Sequence, residues 1–489
     1  MKILQIREYL SYGDGIGNTI MAMDRVISER YDTVIAVRQC SDEYESLARL
    51  VRFNTLDELD VQGDDIVIYH FGEWCSLLRE FLDIKCKKVL MYQNVTFPHF
   101  YAGINDDISL NCSKAQKYVR NSASCFLKAL TPSLFSQNEL INMGWNSEDV
   151  YLLPLPVSLE KKNVTEKKKN EERTFLFVGR MVPNKKIEDV IRVFDFYRRN
   201  YYKNSYLKLV GDNSKDIYYR SLCKYIEKNN IKNVEFTGRV TDEKLEEMYR
   251  TSDIYLCMSE HEGFCIPLIE AMSYGIPVVA YNSTAVPDTM GDAGILLEKK
   301  DNKYVCERID KLFNDLDYSL QLIEGQYRHL EKYIRNDCQD RLYSIIDEIN
   351  SIESYEYDND SWEFYRILLE EIDRNSKQGL LEQFKRISKK APNIVIYGAG
   401  KVGTELIKLA TELNVKFSAI CDAGQYGKDL QGYTILSPQN CISQCKGAIY
   451  IITIQDKSIA SQVADDLETM GVSKNNILYY SNTDKRIYI

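Results

Sequence analysis

From Ile254 to Ala280 the chain runs from an apolar segment through a glycine turn and a helix start into a second apolar segment. Residues 254–258 have the composition of a buried strand. Ile266, Leu268, Ile269 and Met272 open a helix, and residues 275–280 return to a strand. This is a β-α-β unit, and it commits the chain to an α/β fold with a mostly parallel sheet. The glycine turn then lies at the carboxyl end of a strand, where open α/β sheets bind their ligands. Two carboxylates, Glu262 and Glu270, stand eight positions apart across that turn. The amides of Gly263, Phe264, Cys265 and Ile266 precede or open the helix, whose start leaves N–H groups available to an anion or a hydroxyl.

The same alternation extends through the chain. Candidate strands at 3–6, 33–37, 65–69, 88–92 and 129–131 make a first block, which Pro154 and Pro156 end. Residues 161–172 are polar and charged, without apolar period, and read as a linker. A second block has strands at 174–180, 206–210, 234–237, 254–258, 278–281 and 295–297. Residues 303–376 read as helical, with an acidic, tyrosine-rich break at 354–360. A third block begins near residue 390. Its strand 393–397 leads directly into Gly398-Ala-Gly-Lys-Val-Gly403 and a helix striped with Val402, Leu406, Leu409 and Leu413. Its next strand, 417–421, ends at Asp422, 24 residues after Gly398. That is the context of a dinucleotide-binding fingerprint built on Gly398, Gly400, Gly403 and Asp422. The expected domains are 1–158, 171–350 and 378–489, with 351–377 a helical, acidic linker.

Composition narrows the class of protein. A length of 489 residues suits about three domains. A formal net charge of −10 argues against nucleic acid as the main partner. No apolar run approaches 18 residues, and the amino-terminal sequence reads as a first strand rather than a signal peptide. The 13 cysteines include no C-x-x-C pair, and an odd number cannot close fully into disulfides. Reduced, mostly buried thiols in a cytoplasmic protein are expected, without a metal site, although Cys441 and Cys445 are spaced to meet on a helix. Basic runs at Lys85 to Lys88 and Lys167 to Lys169 leave open a peripheral contact with the inner face of the cytoplasmic membrane.

The stretch HEGFCIPLIEAMSYGIPVVAYNSTAVPDTMGDAG resembles, along nearly its whole length, the E-x7-E signature of retaining nucleotide-sugar glycosyltransferases of the GT-B fold, family 4. The resemblance covers about residues 1–350 and is strongest over 174–297. It implies two Rossmann-like domains facing across a cleft, here with a third, C-terminal Rossmann-like α/β domain. In VGRMVPNK it assigns Arg180 and Lys185 to the donor pyrophosphate, with Lys186 as the adjacent alternative. Cations at a helix start are disfavoured by the dipole unless an anion joins them, which fits that role. Glu262 would lie at the sugar, as a hydroxyl ligand, a stabiliser of oxocarbenium charge or a nucleophile. Glu270 would accept hydrogen bonds from the ribose, and the amides of 263–266 would meet sugar and phosphate. Cys265 stands where the family usually has glycine and reads as a small filler. Gly211 and Val240 would line the nucleotide pocket. In the first domain Gly13-Asp-Gly-Ile-Gly-Asn18 matches the family's glycine loop, with Gly15 and Gly17 close to the donor phosphate.

One departure stands out. Relatives often carry His-Asn-Ile-Thr-Pro where this chain has Gln93-Asn94-Val-Thr-Phe. Glutamine exchanges hydrogen bonds but does not titrate. His70 and His99 are candidate substitutes, and His261 is a candidate to shape the site beside Glu262. The reading is a metal-independent retaining transferase needing no cofactor, which moves a sugar from a nucleotide donor to a glycan or lipid-linked acceptor. Bacterial cell-surface polysaccharide synthesis is the role the resemblance implies. A catalytically degenerate binding or scaffold protein and a GT-B nucleotide-sugar epimerase are the alternatives. The third domain is expected to bind NAD(P) or another nucleotide, or to act as a scaffold; no Tyr-x-x-x-Lys dyad follows Asp422 to carry hydride transfer.

Overall fold

The computed structural model describes residues 1–155, 172–212, 216–333, 335–353, 355, 357, 360–454, 457–481 and 486–488. The linker expected at 161–172 and the basic run at 167–169 lie outside the described residues, save for residue 172. The chain divides into two compact units, residues 1–362 and 363–489.

The first unit holds two separate parallel sheets. In one, β1 (Ile3–Leu10), β2 (Thr33–Cys40), β3 (Leu50–Arg52), β4 (Ile66–Phe71), β5 (Lys87–Tyr92), β6 (Lys128–Thr131) and β7 (Val150–Leu152) take the order β3-β2-β1-β4-β5-β6-β7. In the other, β8 (Arg173–Val178), β9 (Ser205–Val210), β10 (Val234–Gly238), β11 (Ile254–Cys257), β12 (Val278–Tyr281) and β13 (Ile295–Leu297) run β10-β9-β8-β11-β12-β13. Every pairing in both sheets is parallel. The central strands β4, β5 and β11 are buried at every position, as strands covered by helices on both faces must be. The short strands β3 and β7 sit at the two edges, and nothing in LVR or VYL marked them as strands.

Each sheet reverses its strand order once, between β1 and β4 and between β8 and β11. These switch points open a crevice at the carboxyl ends of the strands. Gly13–Gly17 follows β1, Gln93 follows β5, Arg180 follows β8 and Glu262 follows β11, so the sequence-derived candidates gather around the two crevices.

The chain crosses back before it leaves the unit. Leu342, Ile345, Ile346 and Ile349 of the helix Arg335–Asn350 join the buried cluster that holds Ile3, Met23 and Ile27 of the first half. Tyr343 donates to the Val26 carbonyl at 2.9 Å, and Lys87 donates to the Asn350 carbonyl at 2.8 Å. The basic run at 85–88 is therefore no exposed patch: Lys87 and Lys88 are 5% and 3% exposed, and Lys88 lies over the Tyr357 ring. Among the described residues no helix is long and apolar enough to cross a membrane.

The second unit begins with most of the helix Asp360–Lys390, which runs through the stretch expected as a linker. Its sheet orders β15 (Ala419–Cys421), β14 (Ile394–Tyr397), β18 (Ile449–Ile452), β19 (Ile477–Ser481) and β20 (Arg486–Tyr488) as β15-β14-β18-β19-β20, with only β20 antiparallel. A small hairpin pairs β16 (Asp429–Leu430) with β17 (Tyr433–Thr434).

Candidate active site

The turn after β11 is built on strained backbone. Cys265, the residue before the helix Ile266–Ser273, has φ +72°, and no side chain caps that helix; Pro267 brings no N–H, and the Leu268 amide turns back to the Cys265 carbonyl at 3.1 Å. Asn94, Lys186 and Thr284, at φ +72°, +53° and +45°, are left-handed too, and all three adjoin the same turn. Such conformations cost of order 1–3 kcal/mol each and cluster at functional sites. Thr284 shows what its strain secures: its Oγ1 accepts from the Glu262 amide at 2.8 Å and holds the turn to the loop after β12.

Lys185 donates to the Glu262 carboxylate in a short ion pair. Glu262 is 6% exposed and the Lys185 side chain 20%. Burial alone would lower the lysine, but the adjacent carboxylate outweighs it and holds the ammonium above its ordinary range. Lys186 instead faces Glu260 at 3.3 Å and Glu188 at 3.7 Å, so Lys185 alone of the two lysines pairs with Glu262. Arg180 is exposed, and its charge and that of Lys185 both act on the buried phenol of Tyr101 in the first half. Glu270 accepts from Tyr249 Oη at 2.7 Å, and burial raises its carboxyl above the usual range.

The first half closes on this turn. A Cβ on Gly263 would stand 2.7 Å from the Gln93 carbonyl oxygen and 2.8 Å from the Asn94 Cβ. Ser133 Oγ donates to the Gly263 carbonyl at 2.7 Å, and the Phe135 amide donates to Asp288 at 2.7 Å. The Asn94 amide donates to Glu139 Oε2 at 2.8 Å, where Tyr92 also donates at 2.7 Å. Burial pushes the Glu139 carboxyl up to about 7. The glycine loop is capped by its own Asp14, which accepts from the Gly17 amide. A Cβ on Gly15 would meet nothing within 4 Å, whereas one on Gly17 would meet the Ser11 carbonyl oxygen at 2.3 Å. Gly15 thus faces open space, while packing within the loop demands Gly17. Gly211 packs on the Gly179 carbonyl, and Val240 packs at the edge of the core.

Around this crevice sit buried polar atoms without a hydrogen-bond partner: Gln93 Nε2, Asn94 Oδ1, Asn184 Oδ1 and His261 Nε2. Most buried polar atoms in native structures are paired, so these four keep hydrogen-bonding capacity to spare at the crevice. His261 lies among the rings of Phe97 at 4.4 Å, Phe135 at 6.0 Å and Phe100 at 6.1 Å, with its carbonyl fixed by Asn184 Nδ2 at 3.0 Å. Burial keeps its imidazole neutral, down to about 4. His99 is exposed, stacked with Phe97 at 5.9 Å and tilted against Phe100 at 4.3 Å. His70 is 2% exposed and paired with Gln5 Oε1 at 2.9 Å; burial and then Arg7 push it down to about 3, so it supplies no positive charge. Sequence reasoning missed Thr284, Asn184, Glu139 and Tyr249. Asn184, inside VPNK, and Thr284, inside the signature stretch that follows Glu262, lay within motifs that could have signalled them; Glu139 and Tyr249 did not.

In the third domain the Asp422 carboxylate accepts from the amides of Ala399, Gly424 and Gln425 at 2.8 to 3.0 Å. It holds the loops after β14 and β15 together. A Cβ on Gly403 would stand 1.8 Å from the Gly398 carbonyl oxygen, so that glycine is required by packing within the loop. A Cβ on Gly400 would meet nothing within 4 Å.

None of the 13 cysteines forms a disulfide. Cys441 falls in the helix Pro438–Gln444 and Cys445 caps it, its amide donating to the Cys441 carbonyl at 2.8 Å.

The chain is similar to known glycosyltransferases. The chain is 30% identical over 146 residues to the O-antigen chain mannosyltransferase B of Escherichia coli, covering 29% of this chain and 36% of that protein. It is 27% identical over 228 residues to the capsular polysaccharide biosynthesis glycosyltransferase CapM of Staphylococcus aureus, covering 45% and 57%. These matches thus span between about a third and three fifths of the curated relatives. Among solved structures, Anabaena HepE in complex with UDP and glucose superposes with TM-score 0.58 at 15% identity, over 71% of this chain and all of that one. WaaG, a glycosyltransferase involved in lipopolysaccharide biosynthesis, superposes with TM-score 0.53 at 13% identity, over 70% and 99%. The fold is GT-B, and residues 159–329, which carry Arg180, Lys185, Glu262 and Glu270, match the family of glycosyl transferases group 1.

Proposed function

We propose that the chain is a retaining glycosyltransferase that moves a sugar from a nucleotide-sugar donor to a glycan or lipid-linked acceptor. The observation that carries the reading is the Lys185–Glu262 pair at the carboxyl end of β11, with Arg180 just after the neighbouring strand β8 and the orphaned atoms of Gln93, Asn94, Asn184 and His261 around the crevice. The site offers cations for a leaving pyrophosphate, a fixed carboxylate for the sugar and unpaired polar atoms for hydroxyls. The group 1 match over 159–329 and the polysaccharide-building relatives support the same reading.

In the proposed reaction the bond between the anomeric carbon and the diphosphate oxygen breaks, and a bond from an acceptor oxygen forms on the same face. Arg180 and Lys185 neutralise the departing diphosphate; preorganised donors of this kind supply the largest single share of many enzymes' rate enhancement. The acceptor proton passes to the leaving phosphate oxygen. Glu262 stabilises positive charge at the anomeric carbon, and Glu270 binds the ribose in exchange for the Tyr249 hydroxyl. The neutral His261 contributes a hydrogen bond and no charge. No step calls on a metal or cofactor. The third domain is a nucleotide-binding or scaffolding module in which Asp422 must leave its backbone partners before it can reach a ribose.

A degenerate binding protein is the second reading, motivated by Gln93 at a position where a titrating side chain is expected. Incubating the purified chain with UDP-, GDP-, ADP- and dTDP-sugars and measuring nucleoside diphosphate release separates the two. Release that Glu262→Gln abolishes supports the transferase. Saturable binding of a nucleotide sugar without release or transfer supports the binding protein.

A further inference from the structure

Cys257 ends β11, Cys265 precedes the next helix, and Glu262 lies between them in the turn. The Sγ atoms of both cysteines and a carboxylate oxygen of Glu262 lie within 4.8 Å of one another. All three are enclosed, at 1%, 9% and 6% exposure. Cys257 Sγ donates to Ser259 Oγ at 3.2 Å. Cys265 holds φ +72°, a conformation that glycine occupies without strain. A cysteine there thus bears a backbone cost and brings a second sulfur to the first.

We propose that Cys257, Cys265 and Glu262 form a binding site for a thiophilic divalent cation of the zinc type, and that its occupation silences the donor site. Two thiolates and a carboxylate are a donor set zinc prefers. With metal–sulfur distances of about 2.3 Å and metal–oxygen distances near 2.0 Å, tetrahedral ligands stand roughly 3.5–3.8 Å apart. The three atoms need close by only about an ångström from their present spacing, within reach of side-chain rotation. The ion displaces the two thiol protons to solvent, so binding strengthens with pH. Two thiolates and one carboxylate leave the dication with one excess negative charge, which the Lys185 ammonium balances. The fourth position is free for water or for Ser259 Oγ.

The inhibitory arm rests on the transferase reading. An ion on Glu262 competes with Lys185 for the carboxylate, and it turns the carboxylate away from the sugar towards the sulfurs behind it. Lys185 then meets the diphosphate without the carboxylate that orders it. The site is regulatory in this account, and the transfer reaction itself needs no metal.

The test titrates the full-length chain with Cd²⁺ and Zn²⁺, beside Cys257→Ala, Cys257→Ser and a Cys441→Ala control. Cd²⁺ reports sulfur ligation by its ultraviolet charge-transfer absorption, and circular dichroism checks that each variant is folded. The expected result is one equivalent of charge-transfer signal that both Cys257 variants lose and Cys441→Ala retains. Zn²⁺ should inhibit nucleotide release by the wild type reversibly, with chelator restoring it, and Cys257→Ala should be at least tenfold less sensitive. Identical Cd²⁺ titrations of wild type and Cys257→Ala would overturn the site, as would equal sensitivity to Zn²⁺. A Cys257-dependent signal in a chain that releases nucleotide from no donor sustains the metal site and counts against the transferase.

Discussion

Gly263 and Asn94 meet across the crevice so closely that a side-chain carbon on the glycine would stand 2.8 Å from the asparagine Cβ. The position after Glu262 is therefore set by contact between the two halves. Gly263→Ala should cost about 1–3 kcal/mol through overpacking. It should also weaken donor binding, because the turn can relieve the clash only by moving Glu262. Thermal melts with and without nucleotide check both; unchanged melts would mean the halves part easily here.

Lys185 neutralises a carboxylate that is 6% exposed. Lys185→Ala leaves that charge buried and unpaired, a change that destabilises by about 3–5 kcal/mol. The double variant Lys185→Ala, Glu262→Gln should recover most of the loss while remaining inactive. Chemical denaturation of the single and double variants measures the recovery.

Arg180 is exposed and contributes little to folding. Arg180→Ala should melt within about a degree of the wild type, since surface changes of this kind stay within about 0.5 kcal/mol. The donor effect should be large. A nucleotide sugar at about 100 times its Kd adds roughly 2.7 kcal/mol to the wild type. That increment should largely vanish in the variant at the same concentration.

Two buried groups give the stability opposite pH slopes. His70, pushed down to about 3, stays neutral in the folded chain while the unfolded chain takes up a proton near 6.5. Its contribution is present above 6.5 and is lost as pH falls towards the folded value. Glu139, pushed up to about 7, keeps its proton while the unfolded carboxyl releases it near 4.5. Its favourable contribution is present below 4.5 and is lost as pH rises to 7. Glu139→Gln copies the neutral acid and should gain on the wild type between pH 5 and 8, by on the order of 3 kcal/mol at the upper end. His70→Gln should fall less steeply than the wild type between pH 7 and 5. Urea denaturation across that range reads both slopes.

Asp422 accepts from three backbone amides. Asp422→Ala should destabilise the unit 363–489 by about 1–3 kcal/mol for each amide left without a partner, less where water replaces it. Hydrogen exchange should rise at residues 399, 424 and 425 and stay unchanged in residues 1–362. If added NAD(P) or a nucleotide sugar protects the same amides in the wild type, the loop is a ligand site as well as a structural one.

Much of this protein can be read from the order of its residues. Apolar runs alternating with helical stripes dictate parallel sheets, because each strand must be covered on both faces. Glycine turns at strand ends then locate the crevices, and the family resemblance, rather than the pattern itself, singled out Arg180, Lys185, Glu262 and Glu270 there. The edge strands β3 and β7 were not, since three residues carry no period. The choice between Lys185 and Lys186 was equally hidden. It depends on the left-handed backbone of Lys186, which turns one ammonium to Glu262 and the other to Glu260 and Glu188. Thr284, Asn184 and Glu139 act through hydrogen bonds to residues 22, 77 and 45 positions away, and only folding brings those partners together. The burial of Lys87 and Lys88 under the returning chain removed a basic patch that the sequence advertised. Local pattern determined the elements and the chemistry available at their ends. Which side chain faces which, and which charges lose their water, was decided by long-range packing that no short window of sequence contains.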